Sequence, residues 1–438
     1  MSDYMFILES HLDAAQSRAV AEIQRLATDA TMNVWLTGGA MRDVLRGSRI
    51  LDLDFTVERD AVKIGKALAA GLKGRVLSED PLKRWIELEL PGAVRASVSN
   101  ARIEKYSKPG GKPQIEPAGI REDLLRRDFT INAIGLSLNR GSRGLLIDPA
   151  NGQADIANRE LRAAHPYIFF DDPRRIYRLI RFEHTLGFTV TDRLRTQFEN
   201  ALLENYQDAA PAEALADEIR ALSAGPNAVP ALEAYDKAGL LKAISPALTG
   251  PKLNTAGLAR LEKVAASVVP AGTSDGFLAF LDVLLEKLSP KERAEALKVF
   301  HLSSNEAEAL GKLEKAAKKL ESALTAAGAV RPSQIWEAIS PASTAEVLKV
   351  LYSSAHRALP DRVRAYYEKY LPMSLEITED QVAATGVKPG TPKFEKAMKA
   401  MIASHLNARP KKAPEPEPAP APEPVVAAAG VRGPKRGA

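Results

Sequence analysis

The sequence predicts an α+β protein, with a mixed or antiparallel sheet covered by helices over residues 1–155 and an almost wholly helical remainder. Three observations carry that expectation. Short apolar-alternating runs such as LDLDFTV at 51–57 and AVRASVS at 93–99 read as strands set between helical stretches. The turn-rich segment IDPANGQADIANREL at 147–161 closes that half of the chain. From 156 to about 370 the apolar spacing is helical, broken at Gly225 and Pro226, Gly250 and Pro251, and Ser289 and Pro290. Finer divisions are expected at 156–215, 216–370, 371–409 and 410–438, the last a proline- and alanine-rich tail whose composition suits disorder.

In chain order, Val34, Trp35 and Leu36 form a short apolar strand, Gly38 and Gly39 permit a tight turn and close backbone approach, and Ala40 to Arg46 start a helix. The free amides of such a helix start attract anions. Arg42 and Arg46 lie four apart on one face. Arg42, one turn from the glycines, is expected to meet phosphate, and Arg46 to be an ordinary solvated residue. In the next strand Leu51, Leu53, Phe55 and Val57 alternate with Asp52, Asp54 and Thr56, which puts both acids on the open face. Side chains two apart on a strand are separated by roughly 6.6 Å, so the two carboxylates can converge on one divalent ion or a pair. Magnesium suits that donor set, because it takes few carboxylates and completes its octahedron with waters and substrate phosphates. Taken alone, the same pair also fits a solvated strand face.

In the strand at 93–106, Val94, Ala96 and Val98 face a core while Arg95, Ser97 and Ser99 face outward. Further on, Arg126, Arg127 and Asp128 precede Phe129, Thr130, Ile131, Asn132 and Ala133, a polar cluster followed by a helix with Thr130 as its cap. Asp172 followed by Pro173 reads as an N-cap with proline in the first helical position, opening an amphipathic helix through Arg181. Asp172 and Arg175 then share a face of that helix.

The runs GGAMRD, LDLDFTV, RRDFTINA and FFDDPRRIYRLIRFEHTLGF, in this order, resemble the class II tRNA nucleotidyltransferases (CCA-adding enzymes) and bacterial poly(A) polymerases, relatives of the DNA polymerase beta superfamily. The resemblance covers the first 190 residues and returns near 375. It implies a polymerase-beta-like catalytic head over 1–155, a helical neck with base recognition over 156–215, an RNA-binding helical body over 216–370 and a tail module over 371–409. It implies addition of C and A to the tRNA 3′ end from CTP and ATP, with two Mg2+ ions held by Asp52 and Asp54. Gly38, Gly39 and Arg42 would then serve the triphosphate. Arg127 and Asp128 would meet the ribose of the incoming nucleotide, although a structural ion pair fits the same two residues. Asp172 and Arg175 would read the base, with Arg178 as a further nucleotide contact.

That base-reading role has a simple chemistry. Adenine and cytosine both offer an exocyclic amine donor beside a ring-nitrogen acceptor, and guanine and uracil offer the reverse. A carboxylate and an arginine therefore admit A and C alike, while the wrong bases leave buried charges unpaired. Partial enzymes adding only CC or only A, poly(A) polymerases, and a catalytically silent RNA-binding relative share much of this pattern. The chain also departs from the family. Asp171 stands where members have glutamate, and Ser97 stands where relatives have an acid five residues before the arginine aligned with Arg102. Thr391, Pro392 and Lys393 replace a glycine-rich turn in the stretch 374–402, where tRNA contact is expected.

Composition agrees with a nucleic-acid enzyme and excludes several others. Of 438 residues 45% are hydrophobic, yet no apolar run approaches a membrane span of roughly 18 residues. The start, MSDYMFILESHLD, carries no charged n-region, so a cytoplasmic location is expected. The absence of cysteine rules out disulfides and thiolate chemistry. Net charge is +5, mildly basic, as suits a phosphate-contacting protein. The six histidines are scattered, and the chain has no Walker loop or dinucleotide fingerprint.

Overall fold

A computed structural model describes residues 4–270, 276–326 and 331–408, so the tail expected at 410–438 lies outside the described residues. Helices α1 (Tyr4–His11) and α2 (Ala14–Asp29) lead into strand β1 (Val34–Thr37), helix α3 (Gly39–Leu45), strand β2 (Asp52–Val57) and helix α4 (Ala61–Leu72). Strands β3 (Arg75–Asp80), β4 (Trp85–Leu90) and β5 (Val94–Asn100) follow, then a separate hairpin of β6 (Arg102–Lys105) and β7 (Gln114–Pro117). Helix α5 (Ile120–Leu125) and the short strands β8 (Gly135–Ser137) and β9 (Leu146–Ile147) complete the sheet region.

Seven strands form one sheet in the order β3, β4, β5, β2, β1, β8, β9. Only β2 and β5 pair in parallel, so the sheet is mixed, as expected. Leu53, Phe55 and Val57 are buried on one face of β2, and Val94, Ala96 and Val98 on the same side of β5. The two strands are held in the register Asp52 opposite Arg95 and Asp54 opposite Ser97. The predicted alternation fails at Leu51, which is 68% exposed because the strand begins only at Asp52. Thr56 is buried as well, its hydroxyl 3.1 Å from that of Thr37. The open face of β2 thus consists of Asp52 and Asp54 alone.

A second correction concerns the segment after Arg127. No α-helix follows: Thr130–Asn132 form a single 3-10 turn, and the Thr130 hydroxyl donates to Asp155 instead of capping. Phe129, Ile131 and Ile134 are fully buried around that turn, which ties it to the core and sends the chain straight into β8.

Beyond helix α6 (Gly152–Asn158) the described residues are mainly helical, with one two-stranded pair, β10 (Glu160–Leu161) with β11 (Thr189–Val190). The short helix α7 (Ile168–Asp171) precedes α8 (Arg174–Leu186), and α9 (Asp192–Leu203) and α10 (Ala212–Ser223) pack next. Pro173 has helical backbone angles just before α8, and Asp172 Oδ1 accepts the Arg174 amide at 3.2 Å, so Asp172 does cap this helix. Two of the three expected breakers separate helices, whereas Gly250 and Pro251 themselves lie in a 3-10 turn, Gly250–Lys252. Gly225 and Pro226 separate α10 from the helix Ala228–Lys237, and Ser289 caps Pro290–Val299 with a reciprocal bond from Glu292. In the long helix Ser304–Thr325, Leu310, Leu313, Leu320 and Leu324 are buried, while Lys312 and Lys318 pair with glutamates one turn away. Among the described residues no helix is long and apolar enough to cross a membrane.

One apolar core runs without interruption from Met5 through the sheet and on to Leu348, and a second begins at Val268 and ends at Leu406. Beside the first core runs a chain of charges whose two acids are buried and whose two arginines are partly exposed. Asp128, following α5, accepts from Arg178 of α8 at 3.0 Å; Arg178 donates to Glu218 of α10 at 3.1 Å, and Arg181 donates to the other Glu218 oxygen. Glu218 → Ala would take the shared acceptor from two partly exposed arginines, so a loss of about 1–2 kcal/mol in unfolding free energy is expected, read from denaturant melts. A change within experimental error would show that the chain of charges does not hold α8 and α10 together.

Candidate active site

The ten residues singled out from the sequence line a single cavity of about 470 Å3. Gly38, Gly39 and Arg42 come from the β1–α3 turn, Asp52 and Asp54 from β2, Arg127 and Asp128 from the segment after α5, and Asp172, Arg175 and Arg178 from α8 and its cap. Arg46, expected to be uninvolved, lies outside this cavity with its guanidinium over the Phe188 ring.

The sheet edge supplies the carboxylates. Asp54 Oδ1 accepts from the Ser97 hydroxyl at 2.7 Å, so Ser97 occupies the place beside Asp54 where the sequence comparison within the family led one to look for a third acid. Crowding by surrounding protein and then the charge of Asp54 push the Asp52 carboxyl up to about 6. Asp52 is exposed at the cavity rim, where Glu87 and Asp43 add to the effect of Asp54 and Arg95 opposes them. Among the described residues no three His, Asp or Glu side chains gather to hold a metal. Two carboxylates on one strand face nevertheless fit a hard divalent ion that keeps waters and substrate phosphates as its other ligands, and do not fit a closed site made of protein alone.

Gly38 is fixed by this crowding. Its φ is +69°, and a Cβ there would come 2.9 Å from Arg127 Nη1 and 3.3 Å from Asp54 Oδ2. At Gly39 the nearest atom to a Cβ is the flexible end of Arg42 at 3.5 Å, so only the first glycine is sterically required. Arg42 reaches the cavity but is not a free phosphate ligand. Its Nε and Nη2 both donate to Asp43 at 2.9 Å, Nη1 donates to Asn132 at 3.0 Å, and the guanidinium lies over Phe182.

Arg127 and Asp128 do not pair with each other, contrary to the ion-pair alternative. Arg127 Nη2 donates to Thr37 Oγ1, Thr56 Oγ1 and Asp123, which pins it to β1, β2 and α5, and its buried Nε has no partner. Asp128 accepts from the Phe129 amide at 2.7 Å and Asn132 Nδ2 at 2.9 Å as well as from Arg178. Burial alone would raise its pKa, but Arg178 and Arg175 hold it well below the usual carboxylate range. Asp172 and Arg175, expected to share a face of α8, are held by different partners. Asp172 is engaged by Arg174, while Arg175 turns inward, with Nη1 on Ile168 O at 3.3 Å and Nη2 on Arg126 O at 3.0 Å. Both still line the cavity.

Several lining residues were not picked out from sequence as site residues. Arg102, Glu104 and Tyr106 alternate along β6, a pattern visible in RIEKY, and Tyr106 donates to Glu104 at 2.6 Å. Burial would raise the Glu104 pKa, but Arg126 and Arg102 lower it to about 2. Arg126 and Asn132 from RRDFTINA, Arg174, Arg181 and Phe182 from FFDDPRRIYRLIRFEHTLGF, and Lys83, which no motif marks, complete the wall. Gly38 → Ala is expected to abolish nucleotide binding at least tenfold while Gly39 → Ala changes it less than threefold, by titration of a fluorescent ATP analogue. Equal effects would show that the turn, not the crowding at Gly38, sets the requirement.

The comparisons agree with this geometry. Residues 34–162 match the poly A polymerase head domain. An A-adding tRNA nucleotidyltransferase of Aquifex aeolicus is 34% identical over 214 residues, which are 49% of this chain and 26% of that protein. A multifunctional CCA protein of Shewanella denitrificans is 30% identical over 279 residues, 60% of this chain and 64% of that one. The chain thus spans about a quarter of the first relative and under two thirds of the second. Among solved structures, a tRNA nucleotidyltransferase complexed with a primer tRNA and an incoming ATP analogue is 26% identical, with a TM-score of 0.54 over 81% of this chain and 99% of that one. Residues 34–162 thus match the poly A polymerase head domain, and the chain shares its fold with a tRNA nucleotidyltransferase.

Proposed function

We propose that this chain is a tRNA nucleotidyltransferase that adds C and A to the tRNA 3′ end from CTP and ATP. The observation that carries the reading is one cavity bringing the paired carboxylates Asp52 and Asp54 together with Asp172 and Arg175, a set able to choose a base without a nucleic acid template. The relatives named above support it.

In this reading the terminal ribose hydroxyl oxygen attacks the α-phosphorus, the bond from that phosphorus to the bridging oxygen breaks, and pyrophosphate leaves with the electron pair while the hydroxyl proton passes to solvent. Asp52 and Asp54 would hold Mg2+ as a two-ion site, and the ions would supply charge to sharpen the attacking hydroxyl and to offset the departing pyrophosphate. Ser97 holds Asp54 in place for it. Gly38 keeps the turn open for the triphosphate, Arg42 exchanges Asp43 for phosphate, and Arg127 and Asp128 meet the ribose. Asp172 accepts the exocyclic amine and Arg175 donates to the ring nitrogen, with Arg178, itself paired with Asp128, as a further nucleotide contact. The catalytic head, 1–155, is followed by a base-recognising neck over 156–215, and basic side chains of the body, 216–370, and tail module, 371–409, hold the RNA backbone in the cytoplasm.

A narrower reading, addition of A alone, is favoured by the name of the Aquifex relative. Extension of tRNA transcripts ending at the discriminator base, at C and at CC separates the two. Growth of all three to CCA supports the full activity, growth of the last alone identifies an A-adding enzyme, and long A tails a poly(A) polymerase. With Asp52 and Asp54 both replaced by alanine, incorporation is expected to fall at least a thousandfold while tRNA binding persists. Unchanged incorporation would sink the proposed metal site, and tight tRNA binding without any incorporation by the wild-type chain would favour a silent RNA-binding protein.

For base choice, Asp172 → Ala is expected to cut the preference for A and C over G and U by at least tenfold with tRNA affinity intact. Undiminished preference would remove Asp172 from the base-reading role.

A further inference from the structure

We propose that Arg174 is a specificity-determining positioning residue, fixing the Asp172 carboxylate so that a single acceptor direction, on Oδ2, faces the incoming base. The inference rests on the reading of Asp172 and Arg175 as the base-contacting pair.

An ionised carboxylate has about four acceptor directions. At Asp172 three are spent. Oδ1 takes Arg174 Nε at 2.7 Å and the Arg174 backbone amide at 3.2 Å, and Oδ2 takes Arg174 Nη2 at 2.7 Å. This is a fork-to-fork pair, the geometry in which an arginine fixes the plane of a carboxylate as well as its charge. The same residue thus supplies three donors, two from its side chain and one from its backbone, and leaves one direction on Oδ2. Arg175 is prepared in a complementary way. The two hydrogens on its Nη1 go to Ile168 O at 3.3 Å and to His165 Nε2 at 3.4 Å, and one on Nη2 goes to Arg126 O. His165 can accept because burial, with Arg175 beside it, pushes its pKa down to about 4, so the ring is neutral near pH 7. One Nη2 hydrogen and the Nε hydrogen of Arg175 remain for a base.

Fixing the plane matters because charge alone does not exclude the wrong bases. Guanine and uracil also carry a donor, the ring N–H, next to the position where adenine and cytosine carry the amine. A carboxylate free to turn about its last bond could accept that ring N–H and so admit all four bases. Clamped by Arg174, its remaining lone pair points to one place. There an amine is welcome and a carbonyl oxygen is repelled. Arg174 is itself half-exposed, with Asp217 of α10 close enough to affect it, so its side chain can be changed without opening the core.

Nucleotide preference and pH profile test the inference together. Arg174 → Leu is expected to lower the preference for A and C over G and U about tenfold, chiefly through faster use of the wrong bases, with tRNA affinity and melting temperature unchanged. Arg174 → Lys keeps the charge but loses the fork, and its preference is expected to stay reduced. The acid limb should also move. Burial raises the Asp172 pKa, and the bonds and charge of Arg174 are the largest opposing influence, followed by Arg175 and Arg178. Tyr106 from the β6–β7 hairpin and Asp171 from α7 are the other titratable neighbours. Without Arg174 the carboxyl binds its proton at higher pH, so correct incorporation should fail at a higher pH on the acid side than in the wild type. Full preference in Arg174 → Leu would overturn the inference, and full preference restored by Arg174 → Lys would show that charge alone suffices, which overturns it equally. Asp172 → Ala keeps the outcomes separable: if it too retains preference, the base-reading role itself has failed, whereas lost preference there with full preference in Arg174 → Leu rejects Arg174 alone.

Discussion

The arrangement depends on one chain of charge, from Asp128 through Arg178 to Glu218 and Arg181. The carboxylates Asp52 and Asp54 stand on a sheet, and the candidate base-reading residues stand on a helix some 120 residues further along the sequence. A cavity that needs both must hold sheet and helix in register. Apolar packing gives attraction without fixing rotation, whereas a chain of charges with few alternative partners fixes both. Asp128 accepts bonds from its own turn and from α8, and Glu218 binds two arginines one helical turn apart. The helix that presents Asp172 and Arg175 is thereby locked against the segment that presents Arg127.

Around that frame the cavity is built of groups already engaged with one another. Arg42 holds Asp43, Arg127 holds two threonines and Asp123, Arg175 holds two backbone carbonyls, and Arg174 holds Asp172. Each side chain is oriented before a ligand arrives, which lowers the entropy lost on binding. The pre-formed pairs also offset charge in a narrow space, as the downward shift of Glu104 beside Arg126 and Arg102 shows. A triphosphate entering here meets arginines that must exchange one acid for another, so binding and selectivity are set by differences between partners rather than by bare charge.

The sequence by itself determined the fold class and the composition of the site. Alternation at 51–57 and 93–99 is a property of the chain, because side chains on a strand change face at every residue, and it placed Asp52, Asp54 and Ser97 on the open side without reference to anything distant. The cap at Asp172 and the breaks at Pro226 and Pro290 are likewise local, set by dihedral limits and by amides within three residues. The motif order then collected all ten candidate residues, and they do line one cavity.

Tertiary structure decided the partners. Thr130 looks like a cap from its neighbours, but Asp155 competes for its hydroxyl and the buried Phe129 and Ile131 hold the turn in the core. Asp172 and Arg175 share a helical face by spacing, yet Arg175 is drawn inward by carbonyls from α7 and from the end of α5, leaving Arg174 to take the carboxylate. Glu218 carries no mark in the sequence at all, since its role comes from two arginines 37 and 40 positions earlier. Local rules state which residues can form a strand, a turn or a cap. Which donor meets which acceptor depends on distances between segments far apart in the chain, and only the packed molecule sets those.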